Sequence, residues 1–487
     1  MAGRKKADVH PLIDLDNGIV GWDGNDDPAN PRNFPMSQKR FLMLLVSSVT
    51  FISPFASSVF APGVAYAEEE FHVTSTILGT LSVTGYLIGY VTGPLFFSPL
   101  SEMFGRRIVL SAANTFFVAF QVGCALAPNI SALIVFRFLT GVGGSACLTT
   151  GGGVIADLFI AEQRGLAMAL YTSGILIGPV LGPLLGGFIA QRAGWHWVFW
   201  VLVIVGGTLS ALVMVFNRET NHVVLMRWKT ERLRKELSRP ELHSAYESNR
   251  ADDKAGTSSY TSTLGKRLIM PFYLLVRSPI VLPVATYLAT LYGCLYLLFT
   301  TVTDVFKKTY GWSTEISGLA YLGLGVGFIT GQIAFALTSD RIISRLKRRN
   351  NDEYEPEMRL SITVIFALFV PVSFFWYGWS AQEKTHWIVP IIGLSPFAFG
   401  MVGIYNTLQT YVIDCYPRYA ASGTAAMVIT RSLMGALLPL AGPRMYAALG
   451  YGWGNSLLGF VTLGMIPVPL LFYRYGGKVR KSSKLDL

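Results

Sequence analysis

Carboxylates are scarce in this chain and missing from the places where a soluble enzyme would use them. Asp and Glu number 29 against 40 Lys and Arg, and charged residues make up only 14% of the 487. Ordinary soluble domains carry about a quarter charged residues. With 52% hydrophobic residues and a mean hydropathy of +0.45, most of this chain belongs in lipid. The four cysteines, Cys124, Cys147, Cys294 and Cys415, form no CxxC pair. That spacing offers no metal site and no extracellular disulfide framework. A phosphate-cradling GxxxxGK[ST] is absent, so ATP is not expected to be the energy source and no cofactor is implied. Paired His ligands and a nucleophile elbow are absent too, which argues against an enzyme. No signal peptide is recognisable, because the first 40 residues are polar and Pro-containing, so the first membrane helix is expected to act as its own targeting signal. The net charge of +11 does not point to nucleic acid, since the basic residues gather between apolar runs.

What is present is a succession of apolar runs, at 41–64, 76–99, 108–127, 131–155, 165–190 and 197–217, then at 279–303, 316–338, 359–379, 386–412, 420–441 and 455–475. A helix crosses a bilayer with about 20 such residues. The pattern predicts an all-α membrane protein with 12 transmembrane helices in two six-helix bundles, 41–217 and 277–475. A mobile polar tail (1–40), a basic middle loop (218–276) and a short tail (476–487) complete it. Arg227, Lys229, Arg232, Arg234, Lys235 and Arg239 are expected on a surface helix of the middle loop. Segments on the side of the tails hold 33 Lys and Arg and the opposite loops five, with Arg137 and Arg431 inside spans. By the positive-inside rule the tails and middle loop are cytosolic. Six spans, a linker and six spans suggest duplicated halves. Asn129 stands in an Asn-x-Ser sequon, a glycosylation acceptor pattern.

The fifth run carries Gly174, Gly178, Gly182 and Gly186 every four residues, one ridge of a helix. Each interior Gly costs about 1 kcal/mol of helix stability in water. Between lipid-embedded helices a bare ridge lets a partner backbone approach closely. Pro179 and Pro183 each remove a backbone hydrogen bond and bend the helix. Packing alone would account for the ridge about as well as a pivot would. Arg137 shares a face with Gly141 and Ser145. A mid-membrane arginine costs about 2.5–3.5 kcal/mol by insertion scales, so it is expected to face a cavity or a partner. For Arg431 a purely structural role is the stronger expectation. The Trp195-His196-Trp197 cluster reads as an interfacial aromatic belt.

Gly178-x-x-x-Gly182-Pro183-x-x-Gly186-Gly187 resembles the fifth-helix signature of antiporters of the major facilitator superfamily. Glu102, Gly105, Arg106 and Arg107 resemble its loop between spans two and three, where charges latch the halves and Gly permits a tight turn. Asp157 is expected to join that cytosolic latch. Glu102 stands where Asp is usual, Met103 replaces a base, and His196 replaces the family's usual Arg. Arg137-x-x-x-Gly141 resembles the fourth-helix motif tied to proton coupling. Trp22 to Pro31, Tyr411 to Tyr416, Ala420 to Ala426, Arg431-Ser432-Leu433 and Pro439-Leu440 read like the fungal twelve-span drug:proton antiporter family, whose members include multidrug, toxin and polyamine exporters. Met427 sits where Asn is common. The resemblance covers about residues 22–475.

It implies two bundles that rock around a central cavity and export small molecules across the plasma membrane in exchange for protons, as a monomer. Arg137, Tyr86, Tyr171, Tyr292, Tyr296, Tyr405, Asn406, Gln409 and Arg431 are the expected cavity groups, since aromatic rings suit varied amphipathic ligands. No Asp or Glu lies near mid-bilayer: Glu102, Asp157, Asp304, Asp340 and Asp414 fall at span ends or in loops. Neutral or weakly acidic aromatic substrates are therefore expected over polyamines, and a span-end acid would have to carry the proton. A substrate-specific importer or uniporter on the same fold, and a transport-dead nutrient sensor, are the alternatives.

Overall fold

A computed structural model describes residues 11–159, 164–248, 260–350, 353–416 and 420–482. Glu162, Lys484 and the side chain of Asp340 lie outside the described residues. Among the described residues eleven helices are long and apolar enough to cross a membrane. The first bundle comprises α1 (Met36–Ser58), α2 (Thr76–Met103), α3 (Arg106–Ala125), α4 (Ile130–Leu158), α5 (Arg164–Ala193) and α6 (Trp195–Phe216). The second comprises α7 (Val281–Tyr310), α8 (Leu322–Arg349), α9 (Pro356–Gln382), α10 (Ile388–Cys415), α11 (Ala420–Met465) and α12 (Pro467–Ser482). Local chemistry sets several ends. Asn129 caps α4 by accepting from the Ala132 amide at 2.8 Å, so the sequon side chain is exposed but engaged. Gly311 ends α7 in the left-handed region, φ 67°.

The twelfth span begins inside α11, after a non-helical turn at Gly450 where two helices meet, and continues into α12. Helical structure runs 59 residues, Ser422–Arg480. A straight helix of that length would be about 88 Å long, against a hydrocarbon core of about 30 Å. The run folds back at Gly450, whose φ of 71° suits glycine. The Gln382 side chain holds the turn, its Oε1 accepting from the Gly452 amide at 2.7 Å. Across the turn Tyr446 donates to Asn455 Oδ1 at 3.1 Å.

Duplication shows in who packs on whom. In the first bundle α2 packs on α4, α1 on α5 and α3 on α6. In the second α8 packs on α10, α7 on α11, and α9 on the returning leg of α11. These are the same pairings shifted by six spans. Two seams join the bundles, α2 with α11 and α5 with α8. At the first, Gly435 lets Leu87 of α2 and Tyr292 of α7 both approach, 3.0 and 3.1 Å from where a Cβ would stand.

The expectation of a mobile N-terminal tail is overturned from residue 11 onward. Ile19–Val20 pairs in parallel with His243–Ser244 of the middle loop. Trp22 is fully buried, donates to the Tyr246 hydroxyl at 3.2 Å and meets the His222 ring edge-on. Lys229, on the expected surface helix (His222–Glu236), reaches Asp23 at 2.6 Å and the Gly21 carbonyl at 3.0 Å. Polarity misled because one large apolar side chain outweighs several exposed charges when it finds a pocket. Replacing Trp22 with Ala should release this docking at a cost of about 3 kcal/mol. Limited proteolysis of the solubilised protein should then cut before residue 36 many times faster than in wild type. Unchanged cleavage would show that Trp22 does not hold the tail.

Candidate functional site

Two arginines lie inside the bundles, and their surroundings differ. Arg137 of α4 is fully buried and donates to four carbonyls: Nε to Ser82 at 3.1 Å, Nη1 to Ala56 at 2.7 Å, and Nη2 to Ser57 at 2.9 Å and Val83 at 3.3 Å. Its guanidinium also stacks over Tyr86 at 4.8 Å. Such a guanidinium ties α1, α2 and α4 together and has little left to offer a ligand. Gly141 lies one turn on, where any Cβ would strike the Tyr86 carbonyl. Its place is a close α2–α4 contact rather than a cavity wall. Tyr86 and Tyr90 both meet Ser53 of α1, at 3.0 and 2.6 Å.

Arg431 of α11 is 2% exposed and makes one hydrogen bond, Nη1 to the Tyr405 hydroxyl at 2.7 Å. The Tyr292 and Tyr405 rings flank it at 4.9 and 5.2 Å. Its Nε is buried without a partner. Tyr296 packs tilted against Tyr292 with centroids 5.1 Å apart and bonds across the bundles to Ser57 at 2.6 Å. Tyr171 of α5 donates to the Cys147 and Leu148 carbonyls and lies within electrostatic reach of Arg431. Tyr171, Tyr292, Tyr296, Tyr405 and Arg431 thus share one buried centre between the bundles. Tyr86 belongs with Arg137. Asn406 turns to Gln332 of α8 at 3.3 Å, and Gln409 is half-buried on α10.

The residues expected as one hinge divide between two contacts. Gly178, Gly182 and Gly186 press on α1, where a Cβ on Gly178 would stand 2.8 Å from the Phe51 carbonyl and one on Gly186 would fall onto that of Val59. Pro183 has no N–H to offer the Pro179 carbonyl one turn back. Ser58 of α1 supplies that bond instead, Oγ to Pro179 O at 2.7 Å. The other edge of α5 meets the second bundle. A Cβ on Gly187 would stand 2.9 Å from the Thr314 carbonyl, and one on Gly318 would stand 3.1 Å from those of Pro183 and Leu184. Arg192 and Glu315 pair at 2.8 Å on this seam, at the face away from the tails.

At the tail face the latch is built around an acid that pattern reading missed. Glu219, after α6, accepts from the Arg106 and Arg107 amides at 2.8 and 3.1 Å, so a carboxylate caps the N-terminus of α3. Gly105 is required twice, by its φ of 100° and because a Cβ would strike that carboxylate. Arg106 also reaches Asp157 at 3.5 Å and Ser101 at 2.7 Å. Arg107 is exposed, and Glu102 is half-buried in the last turn of α2. Glu219 is the only acid between Glu162 and Glu231, which was its one visible signal. The second bundle repeats the device. Arg359 pairs with Asp414 at 2.8 Å, and Arg480 of α12 with Glu357 at 3.0 Å. Burial and the neighbouring Asp414 push the Tyr354 phenol up to about 12, so it stays a donor to that carboxylate.

At the opposite face a cavity of about 330 Å³ opens between the bundles, lined among others by Glu68, Thr80, Asp304, Lys307, Lys308 and Tyr451. Glu68 comes from the first bundle and Asp304 from the second, within electrostatic reach of each other. Helical structure continues beyond α1 through Glu70, which brings Glu68, an acid the sequence reading did not single out, to this cavity. Trp195 is buried and donates to Glu70 at 2.7 Å, so it is core rather than belt, whereas Trp197 is half exposed. His196 lies 3.6 Å from the same Glu70.

Two six-span bundles with matching pairings, sealed around a buried aromatic and cationic centre, define a membrane transporter and not an enzyme. Residues 46–439 match the family model described as Major Facilitator Superfamily, and the chain belongs to that superfamily. The MFS-type transporter penM of Penicillium rubens is 45% identical over 97% of this chain and 91% of its own length. The MFS transporter cpaT of Aspergillus oryzae is 44% identical over 96% and 93%, and the MFS-type transporter hepF of the same species 42% identical over 98% and 97%. In fold the chain resembles the proton:xylose symporter XylE bound to 6-bromo-6-deoxy-D-glucose, with a TM-score of 0.66 at 18% identity, covering 91% of this chain and 96% of that one. A partially occluded, inward-open XylE from E. coli gives 0.65 at 17% identity, covering 90% and 98%.

Replacing Gly182 with Leu would drive a side chain into the Phe55 carbonyl and the Val59 amide, each 2.9 Å from the Cβ position. Overpacking of this kind costs about 1–3 kcal/mol. The variant should insert and traffic normally yet lose substrate exchange. Wild-type exchange by correctly localised Gly182→Leu would show that the α1–α5 contact has no part in transport.

Proposed function

We propose that the protein is a proton-coupled exporter of small amphipathic or aromatic compounds, such as secondary metabolites, drugs or toxins, working by alternating access. The observation that carries this reading is the buried centre of Tyr171, Tyr292, Tyr296, Tyr405 and Arg431, set where the bundles meet. Large rigid rings supply contact area to varied ligands at little entropic cost. The nearest deep charge is a cation, which disfavours polyamines, because a like charge in low dielectric repels them. The positive-inside bias supports cytosolic tails and a cytosolic middle loop, and we assign the protein to the plasma membrane. Coupling is assigned to Glu68 and Asp304. They are carboxylates contributed by opposite bundles to the cavity on the face away from the tails, where protons are plentiful outside a cell. Arg137 is assigned an indirect part, through the α1–α2–α4 junction that it holds.

Everted membrane vesicles with an acidified lumen test this directly. A radiolabelled azole should accumulate in the lumen by about tenfold for a one-unit gradient and one proton per molecule, since tenfold corresponds to about 1.4 kcal/mol. A protonophore should abolish the accumulation. Asp304→Asn should lose uphill accumulation while retaining downhill exchange. Accumulation insensitive to the gradient would sink the proton-coupled reading, and an unimpaired Asp304→Asn would remove Asp304 from it.

A further inference from the structure

A cation buried in lipid demands compensation, and the two intramembrane arginines obtain it unequally. Arg137 has four carbonyls around it. Arg431 has one phenol oxygen, two ring faces and an orphaned Nε, and no carboxylate pairs with it among the described residues. A guanidinium carries five N–H donors in a planar fork that matches a carboxylate in geometry and charge. The Arg431 fork therefore has donors to spare at a position 2% exposed, and its Nε is buried with no partner. Depth adds to this. Along the helix Arg431 lies about 16 Å from Ala420 at the tail face and about 28 Å from Gly450 at the other, at 1.5 Å per residue. It is near the middle of the crossing, at the junction of α7, α10 and α11.

We propose that Arg431 anchors an acidic group on the transported molecule, so that the preferred substrates are aromatic monocarboxylates whose rings lie against Tyr292 and Tyr405. Resting on the export reading for the use of this centre, the assignment adds the charge of the cargo. Binding supplies the missing counter-charge, and the complex that crosses mid-bilayer is then neutral at this point. The Tyr405 hydroxyl acts as a placeholder on Nη1 that an entering carboxylate replaces or shares. The two rings hold the guanidinium plane by cation–π contact in either state.

The test compares 1-naphthoate with its uncharged isostere 1-naphthamide, using equilibrium dialysis of the purified full-length protein in nanodiscs at pH 7.5. Wild type should bind the acid about tenfold more tightly than the amide, as a charge-assisted hydrogen bond implies. Arg431→Gln should bring the acid down to the level of the amide, so that the ratio of the two affinities falls to about one. Arg431→Lys should keep part of the preference, and Tyr405→Phe should keep all of it, because the ring stays and a donor is freed. A merely structural arginine would lower both affinities together. If Arg431→Gln does not fold, the Arg431→Lys and Tyr405→Phe pair decides the matter by the same criterion. A wild-type protein that binds no naphthoate, or shows no preference for it, overturns the proposal, as does preference surviving in Arg431→Gln. These outcomes separate from those for export. A protein that accumulates the azole without preferring the acid loses only the anchor, and one that prefers the acid through Arg431 but moves nothing loses only the export reading.

Discussion

Everything in this molecule depends on backbone meeting backbone where α5 lies on α1. In hydrocarbon no water can serve a stray carbonyl, so each helix must satisfy its own polar groups or borrow a partner. The glycine ridge removes the side chains that would keep the two helices apart. Pro183 then frees the Pro179 carbonyl, which closeness brings within reach of Ser58. The bend and the contact are thus one feature: a kink without the neighbouring hydroxyl would strand a polar atom, and a hydroxyl without the ridge would not arrive. On its other edge α5 touches the second bundle at Thr314 and Gly318. A single helix therefore belongs to the core of one half and to the seam with the other, which makes its shape a property of both.

Much of this was legible in the sequence, and the failures have physical causes. Hydropathy located the spans because lipid enforces length and composition together. The turn between the last two crossings, at Gly450, falls in the gap expected between residues 441 and 455. The four-residue period of glycine predicted a close contact on one face but not which helix would fill it, because pairing is decided by partners distant in sequence. How the two arginines differ in their surroundings was not visible. A charge can be counted in a sequence, but the carbonyls that surround Arg137 come from turns of α1 and α2 that no local pattern marks. Glu219 was overlooked because its role as a cap exists only once α3 and the end of α6 are side by side. The tail misled for the opposite reason, its polarity concealing the one residue, Trp22, that fixes it.

The matched halves clarify how charge is used. Each bundle joins the start of its third span to the end of its fourth by an arginine and an aspartate, Arg106 with Asp157 and Arg359 with Asp414. Each also ties the start of the third span to the end of the sixth, but with the signs exchanged: Glu219 reaches the α3 amides, whereas Arg480 reaches Glu357. The architecture conserves the linkage and not the residue. Charge at the tail face is therefore structural bracing as well as a topological label, and the two roles reinforce each other.

The glycine turn that joins the last two crossings bears on how the chain is made. From Met445 to Tyr473 there is no charged side chain, and at Gly450 no polar loop separates the legs. Insertion machinery that threads spans one at a time needs a hydrophilic stretch to pass across or hold back. Here there is none, and the two legs form one hairpin held shut by Gln382 and by Tyr446 on Asn455. The last two crossings accordingly depend on α9, which supplies Gln382, for the closure of their turn.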